Sequence, residues 1–185
     1  MRLAIPHLSR KTSDPYWESF IEKSPADMNN LIAPAIRAAA DGQVFPVKSD
    51  THTPEVMTEQ IKELGRFFGA DLVGVTRTGG ESDLPFVIVC GIRSEYDPSV
   101  SKGIGGQAAT LTGAYVTFNL AAAIRELGYQ ATRSEETALD DLAARAGLGT
   151  LDSSGRLVTR NFGRKIYVAD AILTDLPLRP DSPEA

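Results

Sequence analysis

Ala146–Leu178 reads AGLGTLDSSGRLVTRNFGRKIYVADAILTDLPL, and the order of turn formers and β-formers in it decides what kind of domain this is. Gly147 and Gly149 lie close together, where glycine permits backbone conformations and close approaches that other residues resist. Asp152-Ser-Ser-Gly155 is turn chemistry and reads as the hairpin turn that leads from a helix into a strand. Arg156–Thr159 and Lys165–Thr174 are β-rich runs and are expected as the last strands. Asp170 is the odd residue, a carboxylate inside the otherwise apolar Ile166–Leu173. Either it faces water at a sheet edge, or it is buried and must find a partner. Thr174-Asp-Leu-Pro-Leu178 closes the stretch, and Asp175 is expected to bind backbone amides beside a turn.

Working outward, Glu135–Ala146 reads as an amphipathic helix with Leu139, Leu142, Ala143 and Ala146 on one side and Ser134 as its cap. Tyr129–Arg133 is a short strand. Leu111–Leu127 reads as a helix ended by Gly128, apolar almost all round, as a helix packed between layers should be. Ser94–Thr110 reads as a long loop with Lys102-Gly-Ile-Gly-Gly-Gln107 at its centre. Gly103, Gly105 and Gly106 would let backbone amides approach a ligand as phosphate cradles do, although the spacing is neither G-x-G-x-x-G nor a P-loop. A loop with no ligand is the competing reading.

Phe86–Ile92 is an apolar run, expected as a strand buried on both faces, and Asp71–Thr76 is expected as the strand before it. Thr53 can cap a helix with Pro54 first and Glu55 near its positive end. Met57, Ile61, Leu64 and Phe68 then form one apolar stripe, and Gly69 closes the helix. Residues 1–52 read as an irregular arm that wraps the domain or a neighbouring subunit, with a helix over Pro34–Ala40 and an aromatic anchor in Tyr16, Trp17 and Phe20. Residues 53–185 read as the core.

The totals exclude several classes of function. At 185 residues, 42% hydrophobic and 23% charged, the chain suits one ordinary globular domain. A net charge of -5 argues against nucleic-acid and anionic-membrane surfaces. No apolar run approaches the roughly 20 residues of a membrane span. With no persuasive signal peptide and no twin-arginine signal, a cytoplasmic location is expected. One cysteine excludes an internal disulfide and a cluster held by this chain's thiolates alone. Cys90 reads as a small buried hydrophobe. His7 and His52 are too few for a zinc site.

The opening stretch resembles the end of the catalytic core of corrinoid-dependent reductive dehalogenases and epoxyqueuosine reductases. There, a pattern A-G-L-G-x-L-x-x-x-G-x-L-(I/V)-T-x-x-(F/Y)-G precedes T-D-L-P-L. Ala146, Gly147, Leu148, Gly149, Leu151, Gly155, Leu157, Val158, Thr159, Phe162 and Gly163 fill it here, followed by Thr174 to Leu178. The resemblance spans Thr53 to Pro180 and implies a nitroreductase-like α/β (α+β) fold, a mixed sheet flanked by helices. It implies a cobalamin (corrinoid) cofactor bordered by Gly103–Gly106 and by Ser153, Ser154 and Gly155. Arg160, Arg164 and Lys165 could meet the cofactor's tail, or form a solvated rim. It implies Tyr115 as the proton donor when a carbon–halogen bond is reduced, a role that needs a nearby cation to stabilise the phenolate.

In the relatives a ferredoxin-like segment with eight cysteines follows, whereas this sequence ends at Ala185 with Cys90 alone. The expectation is therefore a corrinoid-binding reductase core with no iron–sulfur cluster, supplied with electrons by a separate ferredoxin-like protein. Two alternatives stay open: a non-enzymatic module for corrinoid storage, delivery or sensing, and a cofactor-free subunit or interaction protein of the same fold. A flavin reductase is the remaining comparison, because this architecture often binds flavin mononucleotide across a homodimer interface.

Overall fold

A computed structural model describes residues 27–94, 104–134 and 138–184, with side chains from Ile32 and, after the gap, from Gln107. The expected aromatic anchor at Tyr16, Trp17 and Phe20, the glycine at Gly103 and residues 135–137 of the predicted helix lie outside the described residues.

The chain order is α1 (Asp27–Ala38), α2 (Pro54–Phe68), β1 (Leu72–Arg77), β2 (Phe86–Arg93), α3 (Ile104–Glu126), β3 (Ala131–Ser134), α4 (Leu139–Arg145), β4 (Thr150–Leu151), β5 (Leu157–Val158), β6 (Ile166–Val168) and β7 (Ala171–Thr174). The main sheet runs β1-β2-β7-β3, with β6 also on β2, and β4–β5 form a separate hairpin. Each main-sheet ladder is antiparallel. Helices flank the sheet on both faces, the α+β arrangement expected, while the described ladders are antiparallel where a mixed sheet was expected.

Two apolar layers follow from the period of two along the strands. Val73, Val75, Ile88, Cys90, Ile92 and Ile172 face α2 and α3, packing on Met57, Ile61, Val116, Leu120 and Ile124. Val87, Val89, Val168 and Ala171 face the other way, onto Leu142, Ala143, Ala146, Leu148 and Leu157. The paired runs in β1 and β2 read as continuous apolar sequence because both faces are covered.

The stripe on α2 is as expected, and Gly69 (φ 115°) ends the helix in the left-handed region. Thr53 stands at the cap but makes no side-chain cap bond. Glu55 takes that part: its carboxylate is held below the usual range by its own backbone N–H and then by Thr53.

Four expectations are corrected. First, α3 begins at Ile104, so Gly105 and Gly106 belong to a helix and not to a loop. Two glycines cost helix propensity, about 1 kcal/mol each relative to alanine. Burial of Ala109, Ala114, Val116 and Leu120 along the same helix outweighs it. Second, α1 starts before Pro34 and contains it. The proline is exposed, so the carbonyl it deprives of a partner can turn to water. Third, Ser134 does not cap α4: it pairs with Ala171 at the end of β3, and Ala138 stands at the cap. Fourth, the last run is two strands, broken at Ala169-Asp170.

The segment after α1 crosses the C-terminal end of α3. Phe45 N–H donates to Arg125 O (2.9 Å) and Ser49 N–H to Leu127 O (2.9 Å), satisfying carbonyls the helix leaves open. At the other end of the chain, Asp181 covers the free edge of β1. Its backbone N–H donates to Val75 O, its carboxylate accepts from Val75 N–H (2.8 Å), and it pairs with Lys62 (2.6 Å). Leu176 and Leu178 of the Thr-Asp-Leu-Pro-Leu motif enter the α3-side core, and Asp175 accepts from Gln130 N–H (2.6 Å), the amide contact expected of it.

Candidate functional site

The break between β6 and β7 is a β-bulge. Gly91 pairs with Val168 and Ile88 with Ile172, so Val89 and Cys90 oppose Ala169, Asp170 and Ala171, one residue too many. Bulges re-aim side chains. Here Ala171 stays on the α4 face and Ile172 on the α3 face. Asp170 is released from the alternation and turned toward Tyr167. Of the two readings of this carboxylate, the buried and partnered one holds, with Asp170 only 3% exposed.

Its partner is Arg37, carried in by α1. Nε and Nη2 of Arg37 donate to the two oxygens of Asp170 (2.9 Å each), and Nη2 also donates to the Tyr167 hydroxyl (2.7 Å). Thr110 of α3 hydrogen-bonds the same phenol. The two-pronged geometry matches a planar guanidinium to a carboxylate. Burial works against the Arg37 charge, yet the bond to Asp170 and the charge of its neighbours outweigh it and raise the Arg37 pKa. Burial also raises the Tyr167 pKa, with Arg37 pulling the other way.

A second set of groups gathers where β2 ends and β6 begins. Ser94 N–H donates to Lys165 O (3.1 Å), and Gly113 of α3 lies against Tyr167 and Ala169. The first turn of α3, with Gly105 and Gly106, therefore projects past this end of the sheet. Ser94 is 2% exposed, and its hydroxyl has no hydrogen-bond partner among the described residues. Arg160, exposed, belongs to the loop that returns to β6.

The turn Asp152–Gly155 explains most of its own polar atoms. Asp152 accepts from Ser154 N–H (2.7 Å) and Oγ (2.6 Å) and from Arg156 N–H (3.2 Å), and pairs with Arg164. The Ser154 hydroxyl, first, with the two amides and Arg164, holds the Asp152 carboxyl down at about 2. Gly155 (φ 76°) takes the left-handed turn position with open space around it. Arg164 is thus engaged with Asp152, while Ser153 and Arg160 remain exposed.

Tyr115 stands on the outer side of α3, 51% exposed, in a groove of about 500 Å³ shared with Ile32 and Ile36 of α1 and Phe118 and Asn119. Among the described residues no cation is placed at its hydroxyl. It also lies on the α3 side of the sheet, whereas Leu157 and the β4–β5 hairpin pack on the α4 side. The structure does not unite Tyr115 with Ser153–Gly155. A phenol whose hydroxyl does accept from a cation is Tyr167, which sequence reasoning missed together with Arg37. Only the misplaced carboxylate of Asp170 hinted at them. Cys90 is the expected inert hydrophobe, its thiol pushed up to about 12 by burial.

No family model matches the chain. Over 106 aligned residues, 52% of this chain, it is 35% identical to the tetrachloroethene reductive dehalogenase of Dehalobacter restrictus. A tetrachloroethene reductive dehalogenase of Desulfitobacterium hafniense is 34% identical over the same length. The aligned part is 19% of each relative. Among solved structures, a reductive dehalogenase described in connection with B12-dependent dehalogenation superposes with a TM-score of 0.77 at 21% identity, covering 90% of this chain and 26% of that one. The catabolic reductive dehalogenase NpRdhA gives 0.75 at 23% identity, over 88% of this chain and 25% of its own.

The chain has the reductive dehalogenase-like fold.

The epoxyqueuosine reductase of Streptococcus thermophilus is a more distant match, with a TM-score of 0.54 over 70% of this chain and 48% of that one. In this dehalogenase-like fold the motif glycines have packing reasons of their own. A Cβ at Gly147 (φ 71°) would lie 2.5 Å from Ser182 O, and one at Gly149 would overlap the Val158 carbonyl.

A corrinoid can be tested against the residues present. Its peripheral amides and tail phosphate ask for hydrogen-bond donors and a positive edge. The orphaned Ser94 hydroxyl and the N–H groups at the start of α3 supply donors of that kind, and Arg160 is an exposed cation on the loop that returns to β6. The donor set fits.

Proposed function

We propose that this chain is the corrinoid-binding core of a reductase, with electrons delivered by a separate donor. The observation that carries the proposal is the 34–35% identity to two tetrachloroethene reductive dehalogenases across half of the chain. The superposition on two further dehalogenases supports it at the level of fold.

When bound, the corrinoid would supply the metal-centred electron transfer that reduces a carbon–halogen bond. The residues of this chain hold and orient it. Ser94 donates a hydrogen bond from a site shielded from water, where such a bond counts for more. The positive start of α3, bare of side chains at Gly105 and Gly106, accepts negative charge at close approach. Arg160 offers a charged donor to the tail. Ser153 and Gly155 border the hairpin at the rim.

The test is an anaerobic absorbance titration with cobalamin, run beside flavin mononucleotide. Saturable binding with a shifted corrin spectrum, weakened about tenfold or more in Arg160→Glu, is the expected result. Binding of flavin alone, or of neither compound, overturns the reading.

A further inference from the structure

Helix α2 carries two rows of side chains at the same spacing. Met57, Ile61, Leu64 and Phe68 turn toward the core. One residue earlier, and so about 100° round the helix, Val56, Gln60, Glu63 and Phe67 repeat the i, i+4, i+7, i+11 pattern. This second row faces outward: Val56 is 43% exposed and Phe67 82%, with the Phe67 ring edge-on to Phe68 at 5.8 Å. Single exposed apolar side chains need no explanation. Here Val56 and Phe67 share a shallow groove of about 760 Å³ with Leu64, which closes its inner edge against the core.

Three carboxylates border the same groove. Glu55, Glu59 and Glu63 recur at every fourth residue and form a row along its outer edge. The Glu59 and Glu63 side chains are 69% and 74% exposed. Arg66 pairs with Glu63 at 2.7 Å, and Lys62 reaches Glu59 at 3.6 Å while Asp181 holds it at 2.6 Å. Both cations sit on the far side of the carboxylates from Val56 and Phe67, by their positions round the helix. Exposed pairs of this kind contribute little and exchange partners readily. The groove therefore offers apolar surface edged by negative charge.

We propose that this face of α2 docks a basic amphipathic helix of a partner protein. Its apolar side chains would lie on Val56, Leu64 and Phe67, and its lysines or arginines against Glu55, Glu59 and Glu63. Charge decides among the occupants. A second copy packed antiparallel would bring carboxylates to carboxylates, and packed parallel would leave both rows without a counter-charge. An anionic lipid surface would be repelled by the same row. A basic helix satisfies the apolar stripe and the carboxylates together. From Val56 to Phe67 the row covers about three helical turns, roughly 17 Å, which sets the length of helix it can hold. The surface stands on the geometry of α2 alone and is independent of the corrinoid reading.

Two designed helical peptides of about four turns test it by titration into the isotope-labelled full chain. Both carry leucine along one face, flanked in one peptide by lysine and in the other by glutamate. The lysine peptide should bind saturably and shift the amide resonances of residues 55–67, and the glutamate peptide should not. That comparison needs no variant and decides alone. Phe67→Ser should weaken binding about tenfold or more. Glu59→Lys combined with Glu63→Lys should reverse the preference between the peptides. Equal binding of both peptides, shifts confined to other elements, or a Phe67→Ser variant that binds as tightly as the parent would overturn the proposal. So would sedimentation of the free chain as a dimer that Phe67→Ser dissociates, because the face would then belong to a second copy.

Discussion

Single residues separate packing from turn geometry. Gly149 and Gly155 both belong to the glycine pattern, yet a side chain at the first would run into the Val158 carbonyl and at the second would meet nothing. Gly149→Ala is therefore expected to destabilise by about 3 kcal/mol through overpacking. Gly155→Ala should lose only about 1 kcal/mol, the cost of a left-handed backbone. Urea denaturation of the two variants checks the difference, and equal losses would refute it. Asp152 allows a test by pH. Its folded-state carboxyl lies at about 2, below its unfolded value of about 3.9. A depressed acid contributes stability that is present above the unfolded value and lost as pH falls through the folded one. The Ser154 amide resonance should accordingly titrate with a midpoint near 2, and Asp152→Asn should abolish that titration.

Between residue and molecule, the informative element is the bulged strand. Deleting Asp170 would restore one-to-one pairing with β2 and leave Val168 opposite Gly91 and Ile172 opposite Ile88, each on its present face. Ile172 keeps its burial, so the deletion should destabilise about as much as loss of the carboxylate alone, measured by thermal unfolding. Replacement by Ala keeps the register and removes only the carboxylate, so its amide-exchange pattern in β6 and β7 should remain native. A deletion clearly more costly than the Ala replacement would show that the bulge shapes the strand beyond placing Asp170. The same element shows how far sequence could be read. Asp170 was visibly misplaced in an apolar run, but two readings fitted it equally, because its partner Arg37 is 133 positions away. Helix α3 was legible through its apolar residues and illegible at its start. Glycine at 105 and 106 suggests a loop, and only packing against the sheet reverses that.

For the whole molecule, the question is what the orphaned Ser94 hydroxyl is for. Left without a partner, a buried hydroxyl is a liability of about 1 kcal/mol or more. Ser94→Ala should therefore raise the melting temperature of the protein alone while weakening its affinity for cobalamin. Opposite signs in those two measurements would tie the residue to a ligand; a loss of stability in the alanine variant would assign it to the fold. The chain spans about a fifth of the length of the curated relatives it matches, so substrate and electron donor belong to the proposal and its tests. Among the described residues no helix is long and apolar enough to cross a membrane.

By itself the sequence determined the features that depend on neighbours along the chain. These are the stripe and closing glycine of α2, the doubly buried strand that carries Cys90, the turn at Asp152–Gly155, and the likeness to the dehalogenase core. Each is written in local spacing, where period and turn chemistry act over a few residues. Tertiary structure alone decided the start of α3, the bulge, the burial of Asp170 under Arg37, and the place of Tyr115 apart from the hairpin. Those depend on which side chains meet across the sheet, and a buried charge or a strand register is settled only when its distant partner is in place.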